Sequence, residues 1–173
     1  MKYVVVLLLA WFLAAAQVSA LPYLKVLGVT PDLMLIMAAC WAVLRPQDEA
    51  MIVVPIAGLM HDLATGDPLG ASALAFAPLV ILAASVRIRA VETQFIAALV
   101  VVSAGTLTWG AVRMIVLSIS GQEVQWFQAT VRVVLPLAAV NTLFMPLFYM
   151  PISWFSAGQR QGIMGSRRIT SPL

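Results

Sequence analysis

The sequence predicts an all-α integral membrane protein, a six-helix transmembrane bundle, and three observations carry that reading. Hydrophobic residues make up 62% of the 173 residues and charged residues only 10%, whereas a soluble domain is roughly a quarter charged and under half apolar. The apolar residues fall in long runs, and at roughly 20 residues per span the chain holds about six helices, with no length left for a soluble domain. Proline, glycine and charged clusters punctuate the runs where helices are expected to start and stop.

The expected spans are 3–24, 31–44, 46–64, 71–87, 93–119 and 130–151, forming one transmembrane domain over residues 1–152, with a basic cytoplasmic tail over 153–173. The first segment has a basic start at Lys2, an apolar middle from Tyr3 to Ala16 and a small-residue finish at Ser19-Ala20, the pattern of a cleavable signal peptide. Leu21-Pro22-Tyr23-Leu24 continues the apolar character, so the segment is taken as a retained span.

Thr30-Pro31-Asp32 is a helix-start signal: Thr30 caps, Pro31 takes the first helical position and Asp32 complements the helix dipole. The second helix then has about 14 positions and covers ~21 Å, short of the ~30 Å hydrocarbon core. Either neighbours shelter it or its flanking residues dip inward. Arg45-Pro46-Gln47-Asp48-Glu49 repeats the proline-then-acid device and starts the third helix, which Pro55 is expected to kink. The fourth span ends in Arg87-Ile88-Arg89, the fifth overshoots the bilayer, and Pro136, Pro146 and Pro151 are expected to bend or end the sixth.

Lys2, Arg45, Arg87, Arg89, Arg160, Arg167 and Arg168 all fall on one side of a six-span arrangement, and Lys25 alone lies in a loop on the other. The positive-inside rule places both termini in the cytoplasm. Asp32, Asp62, Asp67 and Glu123 then face the outer side near Arg113 and Arg132, which offers charge pairs at that boundary.

Enzyme chemistry is not expected. Metal sites need convergent ligands, and hydrolytic triads need a base held beside a nucleophile. The chain has one histidine, His61, which reads most simply as a helix-end residue at the interface, and one cysteine, Cys40, inside an apolar run. Phosphate-binding glycine loops are absent, and no cofactor, nucleic acid or small-molecule substrate is expected. Asp62 reads as a group that pairs or caps a neighbour's amide, or as a direct partner or ligand contact. In Gly66-Asp67-Pro68-Leu69-Gly70, Gly66 suits a positive φ, Pro68 fixes the entry to helix four and Gly70 allows close packing. Arg113 and Arg132 read as interfacial anchors or salt-bridge partners, and the five tryptophans as an aromatic belt. Gln122 to Gln128 reads as a short amphipathic surface stretch, and Asn141, the one strongly polar residue deep in the sixth span, as an interhelical hydrogen-bonding residue.

These residues resemble the MreD family of rod shape-determining membrane proteins. The likeness rests on Pro31-Asp32-Leu33 opening helix two and on Gly58-Leu59-Met60, Asp62, Gly66, Pro68, Leu69 and Gly70 between helices three and four. His61 and Asp67 depart from the commonest form of the motif. The second half of the chain matches in hydropathy alone. The resemblance implies a non-enzymatic scaffold of the bacterial elongation machinery in the cytoplasmic (inner) membrane. Such a scaffold binds the bitopic coiled-coil protein MreC and helps link MreB filaments to the peptidoglycan synthase formed by RodA and a class B penicillin-binding transpeptidase. It also implies a fold like the substrate-binding subunits of energy-coupling-factor vitamin transporters. A subunit of that kind is the alternative function, and it predicts a pocket of roughly 300 to 1,000 Å³ with convergent polar groups. Small residues, among them Ala14, Ala15, Ala16, Ala38, Ala39, Ala83 and Ala84, are the candidates for close approach of a partner span.

Overall fold

The computed structural model describes residues 2–88 and 93–168, and within them the chain is helical, with no strand beyond an isolated bridge between Val26 and Val29. Helix α1 is Lys2–Ser19, α2 Leu33–Leu44, α3 Gln47–Thr65, α4 Ala71–Ile88 and α5 Gln94–Ile119. The last helix, α6, joins three contiguous stretches: an α-helical turn Trp126–Ala129, a π-helical stretch Thr130–Val134 and the long α-helix Leu135–Arg168. Arg89, of the expected basic cluster after the fourth span, and residues 169–173, the end of the expected tail, lie outside the described residues.

The short α2 is the axis of the bundle. Met34 to Leu44 are all buried, and α1, α3, α4, α5 and α6 all pack against it. A helix apolar on every side has no solvent-facing stripe and is stable only when surrounded. Its 12 residues rise only ~18 Å, and its neighbours shelter it. Two helical stretches, Gln94–Ile119 and Trp126–Trp154, are long and apolar enough to cross a bilayer, and shorter apolar helices cover Leu8–Ser19, Leu33–Leu44 and Ala71–Val86.

Several helix ends differ from the sequence expectation. The cap of α2 is Asp32, not Thr30: Asp32 Oδ1 accepts from the Leu35 amide at 3.0 Å, and Pro31 stands outside the helix. Helix α1 stops at Ser19, and a 3₁₀ turn, Leu21–Tyr23, replaces the expected continuation to residue 24. Helix α6 begins at Trp126 and continues through Pro146 and Pro151 to Arg168, so most of the expected tail is helical. Each of these prolines removes one backbone hydrogen bond, and the flanking turns carry the helix across it. Pro55 likewise stays inside a continuous α3.

Helices α3 and α4 form a close hairpin, and Gly58 makes it possible. A Cβ at Gly58 would lie 2.5 Å from Ala73 Cα and 2.6 Å from Ala73 N, contacts with backbone that no rotamer change relieves. Gly70, expected to permit close packing, has nothing within 4 Å of its Cβ position. Its requirement is a φ of +93°, a conformation glycine adopts without penalty. Gly66 ends α3 with a φ of +72°.

Candidate functional site

The Asp32 end of the bundle holds a polar node to which every helix contributes. From α1, Gln17 donates to Asp32 Oδ1 at 3.2 Å through Nε2 and accepts the Leu33 amide at 3.0 Å through Oε1. From α6, Asn141 Oδ1 accepts the Asp32 amide at 2.8 Å, while Asn141 Nδ2 donates to Thr106 Oγ1 of α5 at 3.1 Å. From α3, His61 Nε2 stands 3.2 Å from Asp32 Oδ2, off the line of a good hydrogen bond. On its other side, His61 Nδ1 is 3.0 Å from Ser72 Oγ of α4. Asp32, His61, Thr106 and Asn141 are at most 3% exposed. Polar groups so deeply buried must satisfy one another, because an orphaned one costs about 1–3 kcal/mol.

Asp62 completes the node by capping. Its Oδ2 accepts the Gly70 amide at 2.8 Å and its Oδ1 the Ser72 amide at 2.9 Å, so a carboxylate of α3 fills the free amides at the start of α4. Asp67 turns the other way and takes Arg113 in a bidentate pair, at 3.0 and 3.1 Å, with the guanidinium 5.1 Å above the Trp109 ring. Thr65 Oγ1 donates to Asp67 Oδ2 as well, at 3.0 Å.

Several residues sit elsewhere than the sequence suggests. His61 is 2% exposed and packs edge-on against Phe76 and Trp109, so it is a core residue and not an interfacial one. Trp41 and Trp109 are buried as well, which leaves Trp11, Trp126 and Trp154 as the exposed tryptophans. Arg132 and Glu123 are exposed, and neither pairs with an opposite charge among the described residues. Pro68 accepts the Ala71 amide in the turn into α4, and Leu69 beside it is exposed. Gln17, Ser72 and Thr106 were not singled out by sequence. Only Gln17, an amide closing the apolar run of α1, carries a visible signal there.

Asp32, His61 and Ser72 have the residue types of a hydrolytic triad, but they lack its access. Ser72 is 3% exposed and borders a cavity of only about 20 Å³, room for about one water. The nearby amides that would form an oxyanion hole are already taken by Asp62. His61, Asp62 and Asp67 also bring potential metal ligands within 4.8 Å of one another. Asp62 spends both oxygens on amides and Asp67 both on Arg113, so these donors serve the fold.

Two concavities adjoin the node. An open cleft of about 620 Å³ lies above it, between the α1–α2 loop, α5 and the start of α6, with Asp32, His61 and Trp109 among its lining and Lys25, Arg113 and Arg132 as its cations. A lateral apolar groove of about 320 Å³ runs between α1 and α3, lined by Trp11, Ala14, Ala15, Val18, Met60, Leu63 and Ala64. Ala38, Ala39 and Ala83, expected as partner-facing small residues, are buried inside the bundle, whereas Ala15 is open to the groove.

Long apolar helices packed around a buried polar node define a helical bundle of the kind that membrane proteins form. More particularly, the chain belongs to the MreD family: the model of the rod shape-determining protein MreD matches residues 1–157. Membership gives it a role in rod-shape determination and a place in the membrane. No curated protein and no solved structure matches the chain, and the likeness to vitamin-binding subunits therefore rests on the family resemblance.

Proposed function

We propose that this protein is a non-enzymatic, multi-pass scaffold of the inner membrane that seats the single span of an MreC-like bitopic protein in the groove between α1 and α3. In this role it helps couple MreB filaments to the RodA and class B penicillin-binding transpeptidase synthase. The observation that carries the reading is the groove itself. Ala14, Ala15 and Ala64 keep its floor low, and Trp11, Val18 and Leu63 wall it with exposed apolar surface. In lipid, helices associate by close van der Waals packing over small residues, and such a floor admits another helix. The charge distribution supports an orientation with both termini cytoplasmic and the Asp32 end facing outward. Pro31, Asp32, Asp62, Gly66, Pro68 and Gly70 then act as shape-setting residues of the outward end, and Leu69, 72% exposed, is the motif residue free to touch a partner.

The test is co-purification from native membranes through a C-terminal tag, comparing the wild type with Ala15→Phe. The scaffold reading expects the coiled-coil protein with the wild type and its loss with the variant; equal recovery from both would remove the groove from the interface. The second reading, a vitamin transporter's binding subunit, draws support from the 620 Å³ cleft, whose volume suits a small ligand. It predicts recovery of ATPase subunits and a coupling protein in the same experiment. The commitment of Asp32 and His61 to holding α2 favours the scaffold.

A further inference from the structure

We propose that the cleft above the node binds a phosphate-bearing headgroup, that of an anionic phospholipid, on Lys25, Arg113 and Arg132. These cations come from three separate elements, the α1–α2 loop, α5 and the π-helical start of α6, yet they line one cleft. The only carboxylate in that lining is Asp32, which is 3% exposed and already held by Gln17, the Leu35 amide and His61. Arg113 is balanced by Asp67, whereas Lys25 and Arg132 are exposed with no carboxylate partner among the described residues. Like charges gathered in one concavity raise its potential and favour an entering anion. Guanidinium groups are well shaped to chelate phosphate oxygens.

The walls say what the anion is attached to. Met114 and Leu117 of α5 and Val133 and Leu137 of α6 line the same cleft, giving an apolar face beside a cationic one, which is the complement of an amphiphile and not of a free ion. The wall is held firmly: a Cβ at Gly110 would stand 2.6 Å from Val134 Cγ1, so α5 and α6 are in near contact there. The π-helical stretch Thr130–Val134 re-registers α6 at that point and carries Arg132 on the widened turn, a distortion that recurs at functional sites. Exposed Trp126 and Phe127 lie in the turn just before the stretch, as suits a segment at headgroup level. This inference is independent of which partner occupies the α1–α3 groove.

The test uses the full chain in detergent and reads the thermal unfolding midpoint with four additives: phosphatidylglycerol, diacylglycerol, glycerol 1-phosphate and inorganic phosphate. A ligand that binds only the folded state raises the midpoint. Phosphatidylglycerol is expected to raise it by several degrees and diacylglycerol not at all. The double variant Lys25→Gln with Arg132→Gln, both exposed positions, is expected to unfold at the wild-type temperature without lipid and to lose most of the lipid shift. If glycerol 1-phosphate or phosphate alone matches phosphatidylglycerol, the apolar wall adds nothing and the lipid assignment is overturned in favour of a soluble phosphate. Equal shifts from diacylglycerol, or equal shifts in the wild type and the double variant, overturn the proposal. A double variant that keeps its lipid shift but fails to recover the bitopic protein from membranes overturns it in favour of an acidic protein segment.

Discussion

The polar node and the apolar groove lie close together in the bundle, since α3 supplies His61 to one and Met60, Leu63 and Ala64 to the other. They differ in every physical respect. In the node, almost every polar atom is spoken for, by partners as far apart in sequence as Asp32 and Asn141. In the groove, apolar side chains stand exposed, including Trp11 at 65% and Leu63 at 69%. The contrast separates what holds this fold from what the fold offers. Burying polar groups in a bundle this apolar is costly unless each is paired, and the node repays that cost by fixing where α2 starts relative to all five other helices. The groove leaves apolar surface uncovered by the protein itself, as suits a face met by lipid or by another helix.

Substitutions can break that division, and the largest effect is expected at Asp32. Asp32→Ala removes the α2 cap and leaves Gln17 and His61 without their buried partner. A loss of about 3–5 kcal/mol is expected, by analogy with breaking other buried pairs, read as reversible unfolding in mixed micelles. Asp32→Asn keeps a side-chain acceptor for the Leu35 amide and should lose distinctly less. Gly58→Ala forces a methyl group into the Ala73 backbone, and overpacking of this kind costs about 1–3 kcal/mol. Because the hairpin carries Asp62 and Ser72 into place, reduced expression of folded protein should accompany it.

Asn141→Leu is close in volume but leaves the Asp32 amide without its acceptor and takes from Thr106 Oγ1 the bond it accepts, for a loss of about 1–3 kcal/mol. A double variant with Thr106→Val should cost less than the two single losses added together, since the pair shares one hydrogen bond. Ala15→Phe sits at the other extreme. Its change in stability should stay within about 0.5 kcal/mol, as for other exposed positions, while recovery of the bitopic partner falls. A large stability loss there would mean that the groove belongs to the fold after all.

The sequence makes the fold's outline legible because apolar run length and charge bias act locally. Six helices, the shortness of α2 and the turn from Gly66 to Gly70 all follow from local runs of residues, whereas the sheltering of α2 rests on packing by distant helices. The node was far less visible, since it is assembled from residues 15, 35 and 109 positions apart, and no spacing rule reports such contacts. Thr30 and Asp32 flank Pro31, and either can cap a helix; the choice fell to Asp32 because its carboxylate also meets Gln17 and His61. Gly58 and Gly70 illustrate the same limit, as only the packed α4 backbone reveals which of them needs space and which needs a positive φ. The end of α6 lies beyond its expected place for a different reason. Pro146 and Pro151 are read as bending or ending the helix, yet a long helix runs on through them at the loss of single hydrogen bonds.

The proposed division between a supporting node and a partner-binding groove is tested most directly by photo-crosslinking in native membranes. A photoreactive amino acid would be placed at Ala15, in the groove, and separately at Leu143, which is 69% exposed on α6. The scaffold account predicts a crosslink to the single span of the MreC-like protein from position 15 and none from position 143; a crosslink from 143 with none from 15 would contradict it.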